Sequence, residues 1–383
     1  MKPIHPFPAR MAPEIAADVI NSMGTHRRLL DPMCGSGTVL RRGVEAGLDC
    51  VGYDTDPLSV LLASAWTSRV PGYRLLHDAN LVVERADALR PSDVTLPWDD
   101  AATHAFAQYW FGHSQFDSLA RISTVLRHTR LRTRELLAVC MSRTIITKDR
   151  GASLARDVSH SRPHRVMANS DFDVYAAFIR AARHVAVALE PERIRGEARI
   201  AIGDVRELHE RPGWFDMAVT SPPYLNAIDY LRGHRLSLIW MGYPLRELSE
   251  VRSQQVGAER AAPRGPVDVR GFVSASTGPG LSDRHMGWLR RYASDMLKVM
   301  ENLRRVVRRG GSIVIVVGNS AIRGVTVDNA GIVEECATRV HLTLCAREDR
   351  EIPARRRYLP PPRPGSALGQ RMRKETVLVF ERG

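Results

Sequence analysis

Cysteine is scarce. The 383 residues hold five, Cys34, Cys50, Cys140, Cys336 and Cys345, with no C-x-x-C pair and no histidine-rich segment beside them. That spacing excludes a disulfide framework and a structural zinc site, so no metal is implied. Long apolar runs are missing too: no stretch of about eighteen apolar residues occurs, and the leading MKPIHPFPARM has no segment of signal-peptide type. A soluble, cytoplasmic protein without membrane contact is predicted. Lysine is nearly absent, with arginine supplying 51 of the 55 basic residues.

What is present points elsewhere. With 44% hydrophobic and 25% charged residues, the chain can bury a sizeable core, most simply as one large domain with insertions. The formal charge of +13 favours a polyanionic partner, nucleic acid first, because each neutralised phosphate releases condensed counterions. The arginine bias of a GC-rich coding sequence is the competing explanation, and position along the chain must decide between them.

Along the chain, LLDPM (29–33), the glycine-bearing CGSGT and VLRRGVEAGL read as strand, tight turn and helix. A second unit follows, from the apolar segment at Cys50 to Tyr53, through Asp54, to PLSVLLASAW. Between about residues 91 and 195 helical stretches replace strands: Phe116 to Leu126, Arg134 to Thr147 and Phe172 to Leu189. Strands resume with ARIAIGD (198–204) and FDMAVTSPPY (215–224), the latter running into a Pro-Pro loop. Residues 245–285 lack periodicity and are expected to form a long loop. A basic helix from about Asp283 to Arg308, the strand SIVIVVG, a helix from about Asn329 to Val340 and the strands LTLCARE and ETVLVFER close the chain. The last two are expected to pair antiparallel at one sheet edge. The boundaries are therefore 1–90 for the first part of the core, 91–195 for a helical insertion, 196–230 for core, 231–289 for a loop-rich region and 290–383 for the rest of the core.

Two motifs carry chemistry. In DPMCGSGTVL, Gly35 and Gly37 allow a sharp turn and close backbone approach to a ligand, and the following helix offers free N–H groups. No lysine follows, which excludes a P-loop. Asp54 ends the second strand where an acid of a doubly wound fold accepts hydrogen bonds from a ribose diol, so glycine turn plus acid implies an adenosine-bearing cofactor. The alternative role for Asp54 is to cap the helix starting near Pro57. In TSPPYLNAIDY (220–230), Pro222 and Pro223 lock the backbone after a strand. Ser221, the Pro222 carbonyl and the Tyr224 ring then converge on a site that suits an amino group on a flat ring, with Tyr224 stacking on its face.

With these residues in view, the chain resembles the S-adenosylmethionine-dependent DNA amino-methyltransferases, most closely their N4-cytosine branch. HPFPARMAPEIAADVI is similar to the family's motif X, DPMCGSGTVL to motif I, VGYDTDP to motif II, AIGDVREL to motif III and TSPPY to motif IV. S-P-P-Y is more usual in N4-cytosine enzymes, D-P-P-Y or N-P-P-Y in N6-adenine ones. The resemblance implies a Rossmann-like class I methyltransferase sheet, mostly parallel with an antiparallel edge strand, plus a helical insertion and a target-recognition element in one of the two interruptions. It places Phe7 beside the methionine end of S-adenosylmethionine, Asp31, Gly35, Gly37 and Thr38 around the cofactor, Asp54 on the ribose and Asp204 on the adenine amine. As a loop acid after a strand, Asp204 has the alternative role of a turn former. Cys34 fills a variable slot of motif I and reads as a packing residue.

None of the cysteines follows a proline, which excludes C5-cytosine methylation through a Pro-Cys thiolate. Nitrogen methylation needs no covalent adduct, and its target base is expected to flip out of double-stranded DNA. Basic clusters lie at 148–165, 290–309 and Arg355, Arg356 and Arg357; the triplet, which follows a strand on the ligand side of such a sheet, is the leading candidate for phosphate contacts. N6-adenine methylation is the first alternative. An RNA amino-methyltransferase often carries a separate RNA-binding domain, for which no room precedes the first motif, and a non-catalytic nucleic-acid-binding subunit requires a damaged site, whereas both motifs are intact. A companion restriction endonuclease is compatible with this reading, as is either a monomer or a homodimer.

Overall fold

The computed structural model describes residues 2–7, 11–22, 27–148, 150–160, 163–225, 229–257, 267–274, 281–322, 325–351 and 374–383. Its elements, in chain order, are α1 (Pro13–Ser22), β1 (Arg28–Asp31), α2 (Thr38–Glu45), β2 (Asp49–Asp54), α3 (Pro57–Trp66), α4 (Gly72–Ala88), α5 (Ala101–Trp110), α6 (His113–His128), α7 (Arg134–Ile145), β3 (Ala155–Arg156), β4 (His164–Arg165) and α8 (Val174–Leu189). There follow β5 (Glu197–Ile202), β6 (Phe215–Thr220), α9 (Tyr230–Leu238), α10 (Leu245–Gln254), β7 (Val273–Ser274), α11 (Asp283–Val306), β8 (Val307–Gly318), β9 (Ser320–Ile322), β10 (Val325–Val327), α12 (Asn329–Arg339), β11 (Leu342–Glu351) and β12 (Lys374–Arg382).

Seven strands form one sheet in the order β11-β12-β8-β6-β1-β2-β5. The pairs from β5 to β8 are parallel, while β12 runs antiparallel to both β8 and β11. This is the mostly parallel Rossmann-like sheet expected from the alternation of strands and helices. The expected antiparallel pairing at one edge is present; the reversed strand is β12, one place in, and β11 is outermost. Chain order rises outward from β1 through β2 and β5 on one side and through β6 and β8 on the other, so the C-terminal ends of β1, β2 and β6 lie at a switch point, where open α/β sheets bind ligands.

Strand alternation explains why the sheet is covered on both faces. In β8, Ile313, Ile315 and Val317 join Leu30, Leu378, Phe380, α11 and α12 in one core, while Val314 and Val316 join Leu29, Met217, Val219, α1 and α2 in another. Near-continuous apolar runs are what a two-sided parallel strand requires. Each fully buried Val, Leu or Ile contributes about 1.5–3 kcal/mol relative to exposure, so the two layers dominate the stability of this half of the chain.

A third core lies under the helices between β2 and β5. Here α4, α6, α7 and α8 pack with Leu58, Leu62 and Trp66 of α3, and with Leu231, Leu236 and Trp240 at and after α9. The helical character expected for residues 91–195 is observed, with one small hairpin, β3–β4, inside it. The expectation of a long loop over 245–285 needs correction at its start: 245–254 is helix α10. Pro244 leads into it, and the apolar residues Leu245, Leu248 and Val251 recur three apart, with Leu248 buried in the third core. The flanking charges mask that short period in the sequence. Among the described residues no helix is long and apolar enough to cross a membrane.

Candidate active site

The first motif folds into a turn that only its glycines can make. Gly35 (φ 49°) and Gly37 (φ 82°) both adopt left-handed backbone, and a Cβ on Gly37 would come within 2.7 Å of the Ala63 Cα, so α2 starts pressed against α3. The Cys34 N–H bonds the Tyr53 carbonyl at 2.9 Å, tying this turn to the end of β2. Thr38 opens α2 and is buried, as is Cys34, whose thiol burial pushes well above its usual range.

Two acids stand at the strand ends. Asp31 closes β1 and is 2% exposed; its Oδ1 accepts from Thr220 Oγ1 at 2.8 Å. Asp54 closes β2, accepting from the Gly35 N–H at 2.8 Å through one oxygen and from the Asp56 N–H at 2.9 Å through the other. Helix capping falls to Asp56 instead, whose Oδ1 accepts from the Leu58 N–H at 2.9 Å. Burial pushes both Asp31 and Asp54 up to about 7, the other carboxylates nearby adding to it. Each oxygen of Asp54 keeps a lone pair beyond its backbone bond, which suits hydroxyl donors.

Phe7 joins this group from the N-terminus. Its ring stacks on Tyr230 (centroids 5.6 Å apart, 16° between planes) and tilts against His234 at 5.2 Å. A Cβ built on Gly35 would meet the Phe7 ring at 3.6 Å. The His234 Nδ1 sits 2.5 Å from Asp56 Oδ2 in a pair whose side chains are 1% and 3% exposed. Helix α9, which follows the Pro-Pro loop, is thereby fastened to the end of β2.

The second motif lies beside the first because β6 pairs with β1. Thr220, the residue before Ser221, is the one that bonds Asp31, so the two motifs share a buried hydrogen bond. Pro222 is buried, and Ser221, Pro223 and Tyr224 are partly exposed. Tyr224 lies on Gly318 at the end of β8, where a Cβ would come 3.1 Å from its Cε2 and 3.4 Å from its Cζ. Burial pushes its hydroxyl well above the usual phenol range and pushes the Glu375 carboxyl, at the start of β12, upward as well. Behind the loop, Ser320 Oγ donates to the Leu225 carbonyl at 2.6 Å, and Asn329 Nδ2 donates to the Gly318 carbonyl at 2.9 Å.

Asp204 follows β5, and the neighbouring Gly203 N–H bonds the Asp54 carbonyl at 3.0 Å. Its carboxylate accepts from the Arg206 N–H at 2.9 Å and pairs with the Arg206 guanidinium, which also reaches Asp295 at 2.9 Å. Phe7, Asp31, Gly35, Gly37, Thr38, Asp54 and Ser221 to Tyr224 are thus gathered at the C-terminal ends of β1, β2 and β6, with Asp204 bordering them. Arg355, Arg356 and Arg357 lie outside the described residues; the described part of β11 ends at Glu351, opposite Lys374 on β12 and hence near Gly318 and Tyr224.

Sequence reasoning missed His234, Tyr230, Arg206, Gly318 and Glu375. A lone histidine on a helix and a glutamate opening an edge-region strand carry no local signal. Asp56 had one, the D-P entry to a helix, but the capping role is assigned above to Asp54 as an alternative, and it is Asp56 that caps α3.

No protein-family model matches the chain. A segment of 75 residues, 18% of this chain, is 35% identical to the type II methyltransferase M.MvaI of Kocuria varians. It covers 16% of that relative, so the chain matches only a small part of its length. Solved structures that align over 96–97% of the chain include a TehB-like SAM-dependent methyltransferase from Corynebacterium glutamicum (13% identity, 87% of that chain, TM-score 0.32) and a geranyl diphosphate methyltransferase (8%, 76%, 0.38). The rRNA methyltransferase aviRa from Streptomyces viridochromogenes aligns similarly (12% identity, 86% of that chain, TM-score 0.32). Superpositions this loose carry no argument about chemistry.

Proposed function

We propose that the chain is an S-adenosylmethionine-dependent methyltransferase that modifies the exocyclic N4 of cytosine in double-stranded DNA. The observation that carries the reading is the buried Thr220–Asp31 hydrogen bond, which fixes a glycine-turn-and-acid cofactor site and a Ser-Pro-Pro-Tyr amine site at adjoining strand ends. The partial match to a type II methyltransferase supports it.

The residues present fit the cofactor. The left-handed turn at Gly35 and Gly37 keeps Cβ atoms out of the backbone's approach, and Asp54 offers acceptors for a ribose diol. Asp31, Thr38 and Phe7 would border the methionine part, and Asp204 the adenine amine. When bound, the cofactor supplies an electrophilic sulfonium methyl. Ser221 and the Pro222 carbonyl accept hydrogen bonds from the target amine and turn its lone pair out of ring conjugation. Tyr224 stacks on the flipped base. Catalysis is then chiefly positioning, with the amine proton lost after the methyl arrives. Arg355, Arg356 and Arg357 would contact phosphates beyond the end of β11.

Incubating the protein with methyl-labelled S-adenosylmethionine and DNA, RNA or no acceptor tests the reading. Label is expected in DNA alone; label confined to RNA, or to neither polymer, would overturn it.

A further inference from the structure

We propose that the arginine-rich end of the sheet, where β1, β6 and β8 begin, is a second nucleic-acid surface that takes the phosphate backbone of a duplex other than the one delivered to Ser221. The inference goes beyond the proposed reaction, since it rests on the charge and placement of this end and not on the amine chemistry.

The placement follows from the strands. β1 and β6 run parallel, so Arg27 and Arg28 enter the sheet beside Trp214 and Phe215, whereas Asp31 and Thr220 leave it at the opposite end. At about 3.3 Å per residue, the run from Trp214 to Ser221 spans roughly 20 Å. β8 starts at Val307, opposite Phe215, and the antiparallel β12 ends on the same side with Arg382. A straight duplex that presents a base at the C-terminal strand ends does not reach this end.

Six guanidiniums collect there: Arg27 and Arg28 at the start of β1, Arg211 in the loop before β6, Arg304 in the last turn of α11, Arg309 in β8 and Arg382 in β12. Among the described residues none of the six makes an ion pair with a carboxylate. The nearby acids are engaged otherwise. Asp216 accepts from the backbone N–H groups of Arg27 at 3.0 Å and Arg28 at 2.9 Å and pairs with Arg308 at 2.9 Å, and Glu210 pairs with Arg199. Burial, and then the charges of Arg304 and Arg309, hold the Arg382 guanidinium below its usual value, so the cations crowd one another. Compositional bias raises the arginine count everywhere, but it does not gather six without a counter-charge at one end. A polyanion relieves their repulsion.

These cations stand on fixed elements. The Gly213 N–H bonds the Arg305 carbonyl at 2.9 Å, and Arg305 Nη1 donates to the Glu210 carbonyl at 2.7 Å, which holds the loop before β6 on the end of α11. Arg382 Nη1 donates to the Val307 carbonyl at 2.6 Å. Trp214, 38% exposed, carries Arg28 over its ring at 4.2 Å from the centroid and Arg211 at 5.6 Å. Guanidiniums match phosphate oxygens in pairs, and only a polymer of phosphates can meet cations drawn from such separate segments.

The test uses the full chain and an A·T duplex about one helical turn long, which holds no cytosine, at about 50 mM salt. Sedimentation equilibrium should find two duplexes per chain for the wild type. One is expected for the variant carrying Arg27→Gln, Arg211→Gln and Arg309→Gln, three exposed side chains. The salt slope of binding should fall by about 2–3 for three lost phosphate contacts, and Lys at the same three positions should preserve it. Trp214→Phe should remove the tryptophan quenching that saturates with the second duplex. Methyl transfer to a short duplex containing cytosine should stay within twofold in the Gln variant. A Gln variant that takes up two duplexes with an unaltered salt slope overturns the proposal, as does a wild type that takes up only one or none. Polyglutamate that displaces the second duplex at a lower charge concentration than DNA does would assign the surface to an acidic protein and overturn it likewise. A wild type that binds both duplexes and methylates no DNA overturns the proposed function and leaves this inference standing.

Discussion

The two halves of the site are built from opposite materials. At the ends of β1 and β2 the acids Asp31 and Asp54 are held by backbone N–H groups and a threonine, in surroundings that push both carboxyls up to about 7. At the ends of β6 and β8 the working groups are neutral, Ser221, the Pro222 carbonyl and Tyr224, whose ring lies against Gly318. One half is a desolvated charge awaiting polar donors; the other is a fixed array of dipoles. A cofactor that brings hydroxyls suits the first, and a base that brings an amine suits the second.

Breaking the first half at its backbone should have the largest effect. Gly37→Ala forces a side chain onto left-handed backbone and into the Ala63 main chain; the strain and overpacking together should cost about 2–5 kcal/mol, read as a lowered denaturation midpoint at unchanged slope. Next comes Asp54→Ala. Loss of hydrogen bonds to a charged group, about 1.5–3 kcal/mol, should weaken S-adenosylmethionine about 10- to 100-fold by calorimetry and leave duplex affinity nearly unchanged. Equal losses for both ligands would dissolve the division of labour.

Changes in the second half should show the reverse pattern. Tyr224→Ala should cost about 1–3 kcal/mol of stacking on the extruded base, seen as a raised KM for DNA with the cofactor affinity intact. Ser221→Ala should lower kcat while sparing cofactor binding.

The pH dependence belongs to the acidic half, where stability and cofactor affinity should move in opposite directions. The folded-state pKa of Asp31 and Asp54 is raised above the ordinary carboxylate value, so the stability these groups contribute is complete below about 4 and is lost as pH rises through about 7. The cofactor-free protein should therefore lose this contribution between about pH 4 and pH 7. Cofactor affinity should move the other way, rising over the same window as the ribose-facing carboxylate ionises. Asp54→Asn should flatten both trends, and denaturant midpoints beside calorimetric titrations across that range would check them.

The contrast also explains what could be read from the sequence. The cofactor half is nearly contiguous: strand, glycine turn, helix, strand and acid follow one another from Arg28 to Asp54, and each step has a local period or a backbone demand that betrays it. Ser221 to Tyr224 was legible for the same reason, two prolines directly after an apolar strand. The floor under Tyr224 was not, because Gly318 meets its ring only once β8 has paired with β6. His234 was hidden likewise: it meets Asp56 only once α9 has folded back over α3. Helix α10 was lost among charged neighbours, since one buried residue, Leu248, is too little to mark a face.

The central claim concerns the product. Double-stranded DNA incubated with the protein and S-adenosylmethionine, hydrolysed to nucleosides and resolved by mass spectrometry, should contain N4-methylcytosine, and Ser221→Ala should reduce its amount. N6-methyladenine as the sole modified nucleoside, or DNA with no added methyl group, would contradict the account.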